Sequence, residues 1–171
     1  FLKNAVNKDR LILLTHSHFD HISAAESLRN ATNTRIAIGS LDNYALSNSQ
    51  FSLANLFHAD FHPFSADILF EDCEEFCVGD INFKALYTPG HTVGSMCYLT
   101  ENILFSGDTL FNKSIGRTDF PGGDISVLNK SLDKLMEFKD DLAVFAGHGE
   151  STTIEHERRF NPFIRGNYEA L

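Results

Sequence analysis

Short apolar runs separated by polar or glycine-containing turns make up the first part of the chain. Residues 10–15 have a continuously apolar interior, which is typical of a strand buried on both faces, and the run stops at His16. From Ile22 onward, apolar residues recur at helical spacing through Ala25 and Leu28. The pattern therefore predicts a strand, a loop and a helix in series.

The remainder of the chain alternates between the two periodicities. Strands are predicted at 35–38 and 142–145, hairpins over 76–87 and 95–105, and helices at 41–46 and 125–138. Hairpins together with covering helices indicate an α+β fold with mixed α/β layers. No repeat, low-complexity segment or linker divides the chain, so we predict one domain over 1–171.

The composition excludes several classes of partner. The net charge is −9, with 23 acidic against 14 basic residues, and no basic stripe exists that could bind nucleic acid. No apolar run approaches the roughly 20 residues that span a bilayer, and the opening residues do not form a secretory leader. The three cysteines show no zinc-type spacing. We expect a soluble cytoplasmic protein with reduced thiols and a small-molecule substrate, independent of membranes and nucleic acid.

Four potential metal ligands lie within six residues at the end of the first predicted strand. They are His16, His18, Asp20 and His21. Because His16 and His18 are two apart, they project to one side of an extended backbone, while Asp20 and His21 enter the helix and can turn elsewhere. This spacing suits two metal ions, and imidazole and carboxylate are ligands for zinc, iron or manganese.

Three further loops each place one potential ligand at the end of a predicted strand. These ligands are His91, Asp108 and His148, and each has a glycine beside it, which allows several loops to crowd around one point. The remaining histidines, His58 and His62 among them, lack a matching spacing. For those two and for His156 we expect surface or hydrogen-bonding roles.

The order and spacing of these residues resemble the metallo-β-lactamase superfamily over nearly the whole chain. The resemblance implies an αβ/βα sandwich with two metals at one edge of the two sheets. It assigns three residues to each metal and Asp108 to a bridging position. The first set is His16, His18 and His91, and the second set is Asp20, His21 and His148.

The same resemblance implies hydrolysis by a hydroxide that bridges the metals, with Asp20 and Asp108 as catalytic carboxylates. Two divalent ions, for which we expect zinc with iron or manganese as alternatives, would lower the pKa of water toward about 7 and polarise a substrate carbonyl. Neither a serine nor a cysteine nucleophile is then required. Arg117 could bind a substrate carboxylate, although pairing with Asp119 or Asp124 is favoured slightly more.

Among the branches of the superfamily, residues 114–124 are similar to short, single-domain hydrolases of the glyoxalase II type, which cleave hydroxyacylglutathione thioesters. The commonest class of true lactamases has cysteine at the position of Asp108, and is therefore disfavoured. Two alternatives remain open. One is an iron-dependent persulfide dioxygenase, which would use His16, His91 and Asp108, and the other is a non-catalytic metal-binding scaffold.

The sequence departs from the family pattern before the histidine-rich motif. Family members have two or three strands ahead of it, whereas fifteen residues precede His16 here. We therefore expect a domain that lacks some N-terminal strands and is N-terminally incomplete. An apolar sheet face and a strand edge would then be open to water or to another chain, in a monomer or a homodimer.

Overall fold

Two β-sheets face each other in the computed structural model, which describes residues 10–164. Strands β1 (Leu11–Leu13), β2 (Arg35–Gly39) and β3 (Ile68–Phe70) form a parallel sheet in that order. The second sheet has six strands in the order β11-β10-β7-β6-β5-β4, in which only β10 and β7 are parallel. Its strands are β4 (Glu75–Val78), β5 (Ile81–Tyr87), β6 (Met96–Leu99), β7 (Ile103–Gly107), β10 (Ala143–Ala146) and β11 (Thr152–Thr153). A small hairpin pairs β8 (Leu110–Phe111) with β9 (Ser114–Ile115).

Most of the helices connect these strands, and the last one follows β11. They are α1 (Phe19–Ile22), α2 (Ala25–Thr32), a 3-10 helix (Ser40–Ser47), α3 (Ile125–Met136) and α4 (Ile154–Phe160). The single helix predicted from Ile22 is two helices, since α1 ends there and α2 begins at Ala25. At the start of α3 the Asp124 carboxylate accepts hydrogen bonds from the backbone N–H groups of Ser126 and Val127.

Side chains alternate between the two faces of each sheet, and each face packs against a different layer. On β2, Ile36 and Ile38 pack toward α1 and α2, whereas Ala37 packs toward the second sheet. On the second sheet, Leu104 and Val144 pack toward α3. These contacts form helix, sheet, sheet and helix layers, so the predicted αβ/βα sandwich and mixed α+β class are confirmed.

The layer between α3 and the six-stranded sheet contains the buried thiol of Cys97, whereas the other two thiols, Cys73 and Cys77, are exposed. All three cysteines are free. Burial raises the pKa of the Cys97 thiol to about 11, so the thiol stays protonated at neutral pH. The prediction of unpaired thiols therefore agrees with the fold.

Part of the second sheet lies open on the side that faces the first sheet. Phe105 and Phe145 are paired neighbours on β7 and β10, with ring centroids 6.0 Å apart. They are 38% and 45% exposed, although Leu104 and Val144 on the opposite face are fully buried. An open apolar face was expected from the sequence.

Within residues 10–164, no helix is long and apolar enough to cross a membrane.

Candidate metal centre

The loops that follow four strands, together with α1, converge at one edge of the two sheets. They bring together all seven residues that the sequence singled out. His16 and His18 follow β1, Asp20 and His21 lie in α1, His91 follows β5, Asp108 follows β7, and His148 follows β10. A strand thus precedes each of the four loops, and α1 begins at Phe19, directly after the loop of His16 and His18.

One group of ligands is almost completely buried. The side chains of His16, His18 and His91 offer ring nitrogens that all lie within 4.8 Å of one another. The three residues are 1%, 4% and 3% exposed. We call this set the buried group, and its three imidazoles form the kind of ligand set that zinc or iron binds.

The other group opens to solvent and consists of Asp20, His21 and His148. The Nε2 atoms of His21 and His148 are 3.1 Å apart, and Asp20 Oδ2 lies 3.1 Å from His148 Nε2. The side chains of Asp20 and His148 are 50% and 56% exposed. We call this set the open group, and its carboxylate makes it a harder ligand set than three imidazoles.

Asp108 lies between the two groups. Its Oδ1 is 3.4 Å from His21 Nε2, while its Oδ2 is 3.6 Å from the Nε2 atoms of both His91 and His148. A side chain on the neighbouring Gly147 would not fit, because a Cβ there would lie 2.2 Å from Asp108 Oδ1. Glycine at this position therefore keeps space beside the carboxylate.

Hydrogen bonds at the far side of two rings orient the buried group. His91 Nδ1 lies 2.7 Å from the backbone carbonyl of Arg117, to which it can only donate, and His16 Nδ1 lies 3.1 Å from Thr15 Oγ1. A proton on His91 Nδ1 leaves the lone pair on Nε2, directed toward the other ligands. The Arg117 carbonyl thus sets the tautomer and the orientation of a ligand ring.

The electrostatics of the buried group favour neutral imidazoles. Burial, followed by the neighbouring histidines, lowers the pKa of His16 and holds that of His18 at about 3. Burial likewise lowers the pKa of His21 and raises that of Asp108. At neutral pH the histidines with lowered pKa values are therefore deprotonated and can bind a cation without first losing a proton.

Unpartnered polar atoms show that a cation fits this centre. The Nε2 atoms of His16, His18 and His91 and the Oδ1 atom of Asp108 are buried without any hydrogen-bond partner. Each such atom costs about 1 to 3 kcal/mol of stability. A cation among the three histidines would satisfy their Nε2 atoms, and a cation among His16, His21 and Asp108 would satisfy the carboxylate, so the donor set suits metal binding.

A cavity of about 370 Å³ opens onto the centre. Beside the ligands it is lined by Leu53, Phe57, Phe111, Arg117 and Phe120. The Arg117 guanidinium donates two hydrogen bonds to Asp119, at 2.7 and 2.6 Å, and lies 3.9 Å from the centroid of the Phe120 ring. The favoured pairing of Arg117 with Asp119 is therefore present. A larger cavity of about 930 Å³ lies over β4 to β7 and contains none of the ligands.

Some residues near the centre carried no signal in the sequence. Phe57 and Phe120 were not predicted to line the cavity, and Asp42, which joins two ligand loops, is a single acidic residue within the short predicted helix at 41–46. The three remaining histidines stay outside the ligand groups found among residues 10–164. His62 pairs with Asp60 on the surface, in accord with the role expected of it. His156 packs against Phe160 and its Nε2 is buried without a hydrogen-bond partner among the described residues, so it has neither the surface role nor the ring hydrogen bond that was expected.

Comparison with a known protein sequence relates the chain to a named enzyme. It is 36% identical over 165 residues to the hydroxyacylglutathione hydrolase GloC of Haemophilus influenzae, and this alignment covers 91% of this chain and 76% of that protein. An uncharacterised protein of Mycobacterium tuberculosis is 37% identical over 183 residues, covering 96% of this chain and 82% of the relative.

Solved structures with a similar fold differ in what their names describe. The B3 metallo-beta-lactamase BLEG-1 superposes with a TM-score of 0.84 at 36% identity, over 91% of this chain and 77% of that one. TTHA1623, solved in a di-iron-bound form, superposes with a TM-score of 0.80 at 33% identity, over 90% of this chain and 76% of that one. ETHE1 from Myxococcus xanthus superposes with a TM-score of 0.73 at 32% identity, over 91% of this chain and 63% of that one.

A sequence profile matches most of the chain and includes all seven ligand positions. It is the profile described as the metallo-beta-lactamase superfamily, and it matches residues 9–148. Proteins of this family bind divalent metals. The candidate ligands of the buried group, the open group and Asp108 converge at one place, which agrees with that property. The chain belongs to the metallo-beta-lactamase superfamily.

Proposed function

We propose that the protein is a metal-dependent hydrolase of thioesters, such as hydroxyacylglutathione, that works with two divalent ions, zinc first among them. The observation that carries this proposal is the position of Asp108 between two groups of three ligands. Its Oδ1 lies toward His21 of the open group, and its Oδ2 lies toward His91 of the buried group and His148 of the open group. A carboxylate in contact with both groups can hold two ions close together, an arrangement that many hydrolases use.

The chain contributes position, charge and partial exclusion of water. When bound, the ions supply a nucleophilic hydroxide near neutral pH and polarise a substrate carbonyl. His16, His18, His91 and Asp108 would hold one ion, and the Arg117 carbonyl keeps the His91 ring in place. Asp20, His21 and His148 would hold a second ion, and two of these side chains, Asp20 and His148, line the cavity that a substrate would enter.

The similarity to GloC supports a thioester as the substrate class, since that relative is named for hydroxyacylglutathione hydrolysis. The cavity gives a thioester a place to bind. Phe57, Phe111 and Phe120 can pack against the acyl group or the thiol chain, with the carbonyl oxygen directed to where the candidate ligands would hold a cation. Arg117 reaches the same cavity, but Asp119 occupies its guanidinium, so it must release that pairing to bind a substrate carboxylate.

The first test is release of thiol from S-lactoylglutathione. The zinc-reconstituted protein is compared with a chelated sample and with the Asp108→Ala variant. We expect metal-dependent thiol release by the native protein and a loss of at least about 100-fold in Asp108→Ala, since loss of even an outer partner of a ligand costs about 10- to 100-fold. Bound metal is measured in every sample.

Each other outcome points to a different function. Full metal binding without thiol release, followed by oxygen consumption with glutathione persulfide in the iron-loaded protein, would indicate the dioxygenase. Hydrolysis of a β-lactam instead would agree with the similarity to BLEG-1. Metal that raises the melting temperature without turnover of any of these substrates would indicate the scaffold. Wild-type turnover by Asp108→Ala with full metal content would contradict the bridging role.

A further inference from the structure

A buried carboxylate outside the ligand set joins two ligand loops. Asp42 is 1% exposed and lies in the 3-10 helix. Its Oδ2 accepts hydrogen bonds from the backbone N–H of Ser17 and from the Thr92 hydroxyl, each at 2.9 Å, and its Oδ1 accepts one from the Gly94 N–H at 2.7 Å. Ser17 lies between His16 and His18, and Thr92 follows His91.

Two glycines allow the backbone to approach Asp42 closely. A Cβ on Gly94 would lie 2.3 Å from the Asp42 backbone nitrogen and 2.6 Å from Asp42 Oδ1. A Cβ on Gly39 would lie 2.6 Å from the carbonyl oxygen of Gly94. Glycine at both positions thus allows the 3-10 helix to approach the loop that carries His91. The loop itself is closed by hydrogen bonds between Thr92 and Ser95.

We propose that Asp42 is a positioning residue for metal binding, which fixes the loop of His16 and His18 relative to the loop of His91. All three ligands of the buried group are within one residue of a group that Asp42 binds. The carboxylate can satisfy donors from both loops because it offers only acceptors. The inference rests on the proposed function in that it requires a metal ion at the buried group.

A second buried carboxylate provides the matched control. Glu157 is fully buried and accepts hydrogen bonds from the Lys113 backbone N–H, the Thr152 hydroxyl and the Asn161 side-chain amide, at 2.6 to 2.8 Å. It resembles Asp42 in burial and number of donors, but the residues that it binds are at least four positions from any candidate ligand, whereas two of those bound by Asp42 are next to ligands. Losing either carboxylate should destabilise the fold, whereas only Asp42 should affect the metal.

The test compares zinc affinities of the full chain, measured by competition with a chromophoric chelator at neutral pH. In Asp42→Asn one of the two acceptor oxygens becomes an N–H₂ group that faces a backbone N–H donor, so at least one of the hydrogen bonds that tie the two loops to this side chain is lost. We expect the dissociation constant of the tighter zinc ion to rise about 10- to 100-fold, as for other residues that orient metal ligands. In Glu157→Gln the melting temperature should fall while the zinc affinity stays at the wild-type value.

A milder pair of variants keeps the test decisive if Asp42→Asn does not fold. Thr92→Val removes one of the hydrogen bonds to Asp42, and Thr92→Ser restores the hydroxyl. Zinc affinity should weaken in the first variant and recover in the second. Equal melting losses in Asp42→Asn and Glu157→Gln with unchanged zinc affinity, or unchanged affinity in Thr92→Val, would overturn the proposal.

The readout separates this inference from the proposed function. Zinc binding is measured without a substrate, so a wild-type protein that binds zinc but hydrolyses no thioester would refute only the proposed activity. The affinities of the Asp42 and Thr92 variants would still decide the positioning role. A wild-type protein that binds no zinc would refute both.

Discussion

The buried group and the open group differ in what holds their ligands in place. His16, His18 and His91 are shielded from water, and His91 is fixed by the Arg117 carbonyl. In the open group the side chains of Asp20 and His148 are each half exposed, and their nearest polar neighbours are other ligands. The same fold thus provides one rigid, desolvated set of ligands and one set that water can reach.

This difference assigns different tasks to the two groups. Ligands that are already desolvated and oriented lose little entropy when an ion binds, so the buried group should bind the tighter ion. Ligands at the cavity mouth leave one side of their ion free for water or substrate. From this comparison we expect an ion in the buried group to be held tightly and an ion in the open group to exchange more readily.

Replacing one histidine from each group tests this division and should give the largest effects. We expect His148→Ala to keep one tightly bound zinc ion and to change the unfolding free energy little, because the side chain is 56% exposed. His91→Ala should weaken the tighter ion and leave the Arg117 carbonyl unpaired, at a cost of about 1 to 3 kcal/mol.

The measurement has two parts for each variant. Metal content is determined, and chemical denaturation gives the unfolding free energy of the metal-free and zinc-loaded forms. The metal-free form isolates the lost hydrogen bond, and the loaded form adds the linkage between folding and binding. Equal metal loss in the two variants would show that the groups do not differ in affinity.

Acid should destabilise the metal-free protein through the buried group. The pKa of His18 falls from 6.5 to about 3 on folding, and that of His16 is lowered as well. Below pH 6.5 the unfolded chain therefore binds protons that the folded chain does not, so this stability is present above 6.5 and is lost as the pH falls toward 3. Each histidine costs up to about 1.4 kcal/mol per pH unit.

Denaturation of the metal-free protein between about pH 7 and pH 5.5 measures this slope above the carboxylate range. The raised pKa of Asp108 acts in the opposite direction, so the measured slope is the net of the two effects. In His18→Gln the slope should become shallower, since one of the groups that resist protonation is gone. A slope equal to that of the native protein would show that His18 titrates normally.

Arg117→Ala should have the smallest effect, because this residue serves the buried group through its backbone. Its guanidinium is exposed and paired with Asp119, whereas the carbonyl that holds His91 remains in the variant. We expect KM for a thioester to change by less than about fivefold, with zinc affinity unchanged, as for a surface ion pair. A much larger rise in KM alone would show that the side chain binds substrate.

Much of the fold could be predicted because its buried elements have clear periods. The run after Arg10 and the helix α3 are apolar in a pattern that local sequence reveals. The two-residue strands β8, β9 and β11 are too short to show a period. The helix α4 has the sequence IEHERRF, whose charges hide its buried residues Ile154 and Glu157.

The candidate centre shows the same limit. Its ligands could be predicted because four of them crowd into six residues and the others sit beside glycine at strand ends. Whether they act as metal ligands stays a prediction. Asp42 could not be found in this way, since its role depends on loops that only the folded chain brings together. Sequence also could not show that Arg117 contributes a carbonyl, because every residue has one.

Because Cys97 is buried and the other two cysteines are exposed, the number of reactive thiols indicates whether the protein is folded. In a thiol-release assay, a disulfide reagent should react with the exposed Cys73 and Cys77 as well as with the product, while the pKa of about 11 protects Cys97. The protein background in that assay is therefore two thiols per folded chain. Labelling of a third thiol would count the molecules that have opened the layer beneath α3, with no need for an optical signal from tryptophan, which the sequence lacks.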